Sequence, residues 1–257
     1  MRFAGQAVKN TLEALPNVDP SRRRVANKIP AFANDQPTLP KLHVPSSEAA
    51  SPALIFEFLL LFFLLPLAYR FKPFPFPPIP ALWLLALYCW YRLRSDPFFD
   101  RRLLWNAAQL PGSLPQILML FVSVALLTVL GVWWFSPEKL FSFPRRTPAF
   151  WALVMLLYPV LSVYPQTLVY RVFICHRYRT LFASPLGLIL ASAVAFAFVH
   201  IIFRNPIAVT FTFVGGVLFA WRNLETGSAL TSAFEHSLYG CLMFTAGLGQ
   251  YFYRGFR

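Results

Sequence analysis

Apolar residues in this chain gather in continuous blocks instead of alternating with polar ones. The blocks fall at 52–69, 81–91, 114–135, 149–175, 184–203, 206–221 and within 229–253. Most are roughly 16–27 residues long, the length that carries a helix across a hydrocarbon layer of about 30 Å. Block 81–91 is shorter and rich in aromatics, so it is predicted to tilt or to span only in part. Continuous blocks exclude a membrane barrel, whose strands alternate apolar and polar positions. The pattern predicts an all-α, polytopic membrane bundle of about seven transmembrane helices.

Residues 1–50 are polar, proline-punctuated and basic, with Arg22, Arg23 and Arg24 at their centre. They hold no apolar run, so no cleavable signal peptide is expected and the tail is predicted to be disordered. Residues 72–80 contain five prolines and cannot continue a helix. Pro159 and Pro165 are expected to kink the block 149–175. Three regions follow: the tail 1–50, a set of helices and loops over 51–147, and a core over 148–250.

Charged residues make up 13% of the 257 residues, about half the share of a soluble domain. The net charge of +13 would suggest nucleic acid in a soluble chain. Here Lys and Arg sit in the tail and at block ends, where they meet anionic headgroups, so the expected partner is a lipid bilayer and no nucleic acid. Their distribution favours a cytoplasmic N-terminus. Cys89, Cys175 and Cys241 show no CxxC spacing and read as small apolar residues.

The chemistry starts at Arg171, the only Lys or Arg in block 149–175. A cation at membrane depth costs about 2.5–3.5 kcal/mol on insertion scales, so it is expected to face the bundle interior and a polar partner. Thr167 lies one helical turn before it, and Gln166 and Tyr170 occupy the adjoining line. Two later blocks each carry a histidine: His200 closes the fifth, and His236 stands early in the seventh, directly after Glu235. Glu235 is the acid expected either to neutralise Arg171 or to serve as a base. Adjacent helical residues point about 100° apart, so Glu235 and His236 share a site only in a wide cavity.

In these residues the chain resembles the CPBP family of intramembrane proteases, the CAAX proteases and bacteriocin-processing enzymes. That family carries Glu-Glu-x-x-x-Arg, then Phe-x-x-x-His, then His-x-x-x-Asn or Asp on successive helices. Here the first motif reads Gln166-Thr167-Leu168-Val169-Tyr170-Arg171, the second runs intact from Phe196 to His200, and the third runs from His236 to Gly240. Arg204-Asn205-Pro206, Gly215-Gly216 and Thr226-Gly227-Ser228 also fit the family text. The resemblance covers roughly residues 150–248 and implies a CPBP-like bundle in a bacterial cytoplasmic membrane. It also implies cleavage of a membrane-anchored peptide or protein C-terminus.

The departures bear on mechanism. A glutamate of the first motif is thought to activate water, and an amide or a hydroxyl cannot accept that proton in its place. Gln166 and Thr167 leave both carboxylate positions empty, and Gly240 removes a polar group that would steady the transition state. Three readings are therefore carried. The first is a divergent endopeptidase with His200, His236, Glu235, Gln166 and Arg171 at its centre, supported by Thr167, Tyr170, Phe196 and Gly240. The second is a pseudoprotease that binds membrane peptides without cutting, and the third is a transporter or scaffold. No cofactor is required by the sequence. A zinc ion held by His200, His236 and Glu235 stays open, although their spacing matches no standard zinc motif. His200 ends its block and His236 begins its own, so their meeting requires a sunken Arg204–Pro206 turn or a seventh helix that starts deep, and the sunken turn is the one expected.

Overall fold

A computed structural model of the chain describes residues 51–71, 77–182 and 184–252, all within one compact unit, Leu39–Arg257. The tail 1–50 and most of the 72–80 loop lie outside the described residues. Seven long helices run through the described part: α1 Pro52–Phe71, α2 Pro78–Ser95, α3 Leu110–Phe135, α4 Pro148–Arg177, α5 Pro185–Phe203, α6 Pro206–Thr226 and α7 Ala229–Thr245. No strand occurs among the described residues.

Five of these helices, α1, α3, α4, α5 and α6, are long and apolar enough to cross a membrane. Five of the expected seven thus meet the requirement of length and composition. Helix α2 ends in Arg92 and Arg94, and α7 has 17 residues with Glu235 and His236 buried among them. Both lack an unbroken apolar stretch of the needed length. Helix α3 is the most lipid-like of the set, with Met119, Leu126, Leu127, Trp134 and Phe135 exposed along it.

The boundaries follow from local chemistry. Ser51, Ser184 and Asn205 each precede a proline and each cap the new helix, accepting from the N–H of Leu54, Gly187 and Ala208 respectively. A polar N-cap satisfies a free N–H, and proline at the first helical position has no N–H to leave unpaired. Gly227 ends α6 at φ 57°, a left-handed position that glycine takes without a Cβ clash. Ser228 then caps α7 at once through the Thr231 N–H.

Helix α4 bends as its prolines predict. Wide π turns occupy Pro159–Val163 and Leu168–Phe173. Pro165 has no N–H for the carbonyl of Leu161 four residues back, and the Trp83 indole of α2 donates to that oxygen at 2.9 Å. A second carbonyl in the disturbed stretch, that of Tyr170, accepts from the Ser192 hydroxyl of α5 at 2.6 Å. Such turns are frequent at functional positions, and this one carries Arg171.

Polar ties hold the two ends of the bundle. At one end Arg177 pairs with Glu57 at 2.9 Å, Tyr88 donates to the same carboxylate at 3.0 Å, and His176 pairs with Asp96 at 2.8 Å. At the other, Trp151 donates to Thr245 at 3.0 Å and Asn205 to the Tyr251 carbonyl at 2.8 Å. Helices α5 and α6 pack closest, because Gly216 lies against the backbone of Ala193. A Cβ at 216 would stand 2.9 Å from the Ala193 Cα. Gly216→Ala is therefore expected to lower stability by about 1–3 kcal/mol, since two backbones must separate to admit it. Thermal melting in detergent checks this, and an unchanged midpoint would show that the α5–α6 seam yields freely.

The depth question resolves in favour of a deep start for α7. Ser228 donates to the carbonyl of Asn106, and the neighbouring carbonyl of Leu104 accepts from Tyr164, half-way along α4, at 3.1 Å. The segment Arg102–Asn106 thus dips toward the middle of α4 and sets the first turn of α7 there.

Candidate functional site

Four helices deliver the chemistry. Arg171 comes from the π turn of α4, Phe196 and His200 from the end of α5, Phe219 from α6 and His236 from α7. Hydroxyl bonds to backbone carbonyls fix the frame: Ser192 ties α5 to α4 beside Arg171, and Ser232 donates to the Phe219 carbonyl at 2.8 Å, tying α7 to α6. Phe196 lies at the centre. Its ring centroid is 4.8 Å from that of His200, 5.5 Å from that of His236 and 5.4 Å from that of Tyr170. The two histidines therefore flank one aromatic ring.

The histidines differ in what holds them. Nδ1 of His200 lies 2.7 Å from the Phe196 carbonyl. A carbonyl only accepts, so Nδ1 carries the proton and, in the neutral ring, Nε2 keeps its lone pair. His236 is held by stacking, parallel to Phe219 at 4.5 Å with 18° between planes, and its buried Nδ1 has no hydrogen-bond partner among the described residues.

Arg171 is fully buried, and its guanidinium lies over Phe196, with Cζ 3.9 Å from the ring centroid and 5.4 Å from that of Phe219. The aromatic faces attract the cation but leave its N–H edge free. Nε, Nη1 and Nη2 all lack a hydrogen-bond partner among the described residues. So does the hydroxyl of Thr167, also fully buried and one turn earlier on the same helix.

Glu235 does not meet either expectation set for it. Its carboxylate belongs to Arg222, which donates through Nε to Oε2 at 2.9 Å and through Nη2 to Oε1 at 3.4 Å. Arg222 Nη1 also donates to Glu225 at 2.7 Å and to Gln116 of α3 at 2.9 Å. The reason is helical phase. His236 turns toward Phe219 and Phe196, so its neighbour Glu235 turns toward the side where α6 carries Arg222. The pairing of Glu235 with Arg171 is overturned, and with it the supposition that Glu235 stands ready as a base beside the histidines.

The supporting residues divide in the same way. Gln166 donates to Ser162 within its own helix at 2.8 Å, so it does not converge on Arg171 as the shared face suggested. Tyr170 packs its ring between Phe62 and Phe196. Gly240 is filled from across the bundle: a Cβ there would overlap the Tyr158 ring, with Cζ at 2.6 Å. Of the three residues considered for zinc, Glu235 is held by Arg222 and turned away from the two histidines. Among the described residues no group of three or more His, Cys, Asp or Glu stands close enough to hold a metal.

Arg222, Phe219 and Tyr158 also belong to this region, and no motif in the sequence points to any of them. Arg222 looked like a headgroup charge at a block end. Its signal was local, since Glu225 follows three residues later and Glu235 is the next acid in the chain.

Residues 148–242, from the first turn of α4 to the last turns of α7, match the family described as type II CAAX prenyl endopeptidase Rce1-like. The match spans all the helices that build the site and lies inside the core 148–250 expected from the sequence. No curated protein and no solved structure matches the chain.

Proposed function

We propose that the site binds the peptide of a membrane-anchored substrate without the carboxylate base of the family that residues 148–242 match, the Rce1-like CAAX prenyl endopeptidases. The match supports a CPBP-type intramembrane protease at family level, and the five long apolar helices support an integral multi-pass membrane protein. One observation carries the finer reading. The histidine pair and Arg171 come together around Phe196, while both oxygens of Glu235, the acid expected there, are bonded to Arg222.

A second reading, peptide hydrolysis by a divergent enzyme, rests on His200. The bond to the Phe196 carbonyl holds its ring with Nε2 able to accept a proton, as a general base must. Water attacking a peptide carbonyl would give its proton to that nitrogen, and the free N–H edge of Arg171 would face the negative charge that develops. The orientation is proposed with the N-terminus and the Arg92–Arg102 end of the bundle cytoplasmic, in a bacterial inner membrane, following the bias of Lys and Arg.

The assay is hydrolysis of membrane-anchored peptides by purified protein in lipid, alongside binding of the same peptides. Under the binding reading, wild type and His200→Ala give equal background hydrolysis, while wild type retains the peptide. Cleavage by wild type that falls at least a hundredfold in His200→Ala, with the fold intact, would replace that reading with the enzymatic one.

A further inference from the structure

The two fully buried arginines of this bundle are treated differently. Arg222 faces two carboxylates and an amide oxygen, whereas Arg171 faces two aromatic rings and, among the described residues, nothing that accepts its N–H groups. Each acid inside the described bundle is committed elsewhere: Glu57 to Arg177 and Tyr88, Asp96 to His176, and Glu225 and Glu235 to Arg222. Asp100 accepts from the backbone at the start of Arg102–Trp105, and Glu138 is exposed beyond the end of α3. The free donors beside Arg171 are Thr167 Oγ1 and, depending on its tautomer, His236 Nδ1. This corner lacks one negative charge to accept from these donors.

We infer that Arg171 is a receptor for a carboxylate brought by the ligand, the C-terminal carboxylate of a membrane-anchored peptide. The inference rests on the peptide-binding reading and names the group that the site recognises. The chemistry selects a carboxylate. A single guanidinium presents a planar fork that fits one carboxylate by two parallel bonds, with the Thr167 hydroxyl as a further donor. No second Lys or Arg stands with Arg171, so a doubly charged phosphate would leave charge uncompensated between Phe196 and Phe219. The aromatic walls suit the apolar part of the ligand. Thr167 and Arg171 are one turn apart on a single helix face, so a glutamate at 167 would supply the same charge from within the chain.

The experiment uses the whole chain in phosphatidylcholine nanodiscs, read by direct binding and by thermal unfolding. The probes are an N-palmitoylated tetrapeptide of apolar residues with a free C-terminal acid, the same peptide with a C-terminal amide, and oleic acid as a carboxylate without peptide. Wild type is expected to bind the free acid roughly tenfold or more tightly than the amide, the difference made by one charge-assisted pair. Arg171→Met should bind acid and amide alike, and without ligand it should unfold no earlier than wild type, because an unpaired charge has gone. Thr167→Glu should unfold later than wild type without ligand and lose its preference for the acid.

Equal binding of acid and amide by wild type, at measurable affinity, would overturn the carboxylate receptor while leaving peptide binding intact. Oleic acid binding in an Arg171-dependent way, with neither peptide bound, would keep the receptor, move its ligand to a fatty acid and overturn the peptide reading. If none of the probes binds and Arg171→Met unfolds earlier than wild type, Arg171 is satisfied within the chain and the inference fails.

Discussion

Arg222→Met is expected to lower stability by about 3–5 kcal/mol, the largest loss from any single polar substitution in this bundle. The side chain is fully buried and joins three helices, taking Glu235 from α7, Glu225 from its own helix and Gln116 from α3. Its removal leaves the fully buried Glu235 carboxylate without a counter-charge, and that stranded anion accounts for most of the loss. Glu225 contributes less, because its side chain is partly exposed and can turn to solvent. Arg222→Met combined with Glu235→Leu should recover much of the loss, since replacing both partners of a buried pair with apolar groups is often close to neutral. Unfolding in mixed micelles measures the cycle. Losses that simply add would show that the two residues are not coupled.

Arg171→Met carries the opposite expectation, and the contrast follows from the same physics. A buried cation that already has no counter-ion leaves none behind when it is removed. What is lost is the attraction to the faces of Phe196 and Phe219, worth about 2 kcal/mol when desolvated. What is gained is relief from burying an unpaired charge, which is of several kcal/mol. A net loss as large as that for Arg222→Met would mean that Arg171 has a partner.

Much of this arrangement was legible in the sequence, for reasons that differ by level. Block length gave the helices, because an apolar run of some twenty residues has few alternatives in a bilayer. Ser-Pro and Asn-Pro pairs marked where α1, α5 and α6 begin, since capping is local. The grouping of Arg171, His200 and His236 was readable from motif order. The partner of Glu235 was not, because a one-position change in helical phase sends a long side chain to a different helix. Arg222 was masked by its place at a block end, where arginines usually meet headgroups. The deep start of α7 depends on Asn106 and Leu104, carbonyls more than fifty residues from the groups they accept from, and no local pattern announces such contacts.

Gly240→Asn is expected to destabilise by about 1–3 kcal/mol, although it writes the family residue back into the third motif. The position is empty in sequence and full in space. Tyr158, 82 residues earlier, lays its ring where a Cβ at 240 would go, and packs edge-on against His236 at 6.5 Å and Phe244 at 5.2 Å. Asparagine must push that ring aside, and the ring is held against His236 and Phe244 of α7. Tyr158→Ala should rescue Gly240→Asn, so that the double variant loses less than the two single losses together, with a coupling of about 0.5–3 kcal/mol. On the binding reading, the same contact predicts how hydrolysis would have to be introduced. Gln166→Glu, Thr167→Glu and Gly240→Asn together should give no peptide hydrolysis while Tyr158 is present, because the new amide cannot settle beside His236. Adding Tyr158→Ala frees that place, and activity, if the histidines can use the new carboxylates, should first arise in the fourfold variant. Melting curves and hydrolysis in lipid decide the matter together. A Gly240→Asn protein that melts with wild type, or a threefold variant that cleaves with Tyr158 in place, would show that the ring moves aside at no cost and that the third motif was lost for another reason.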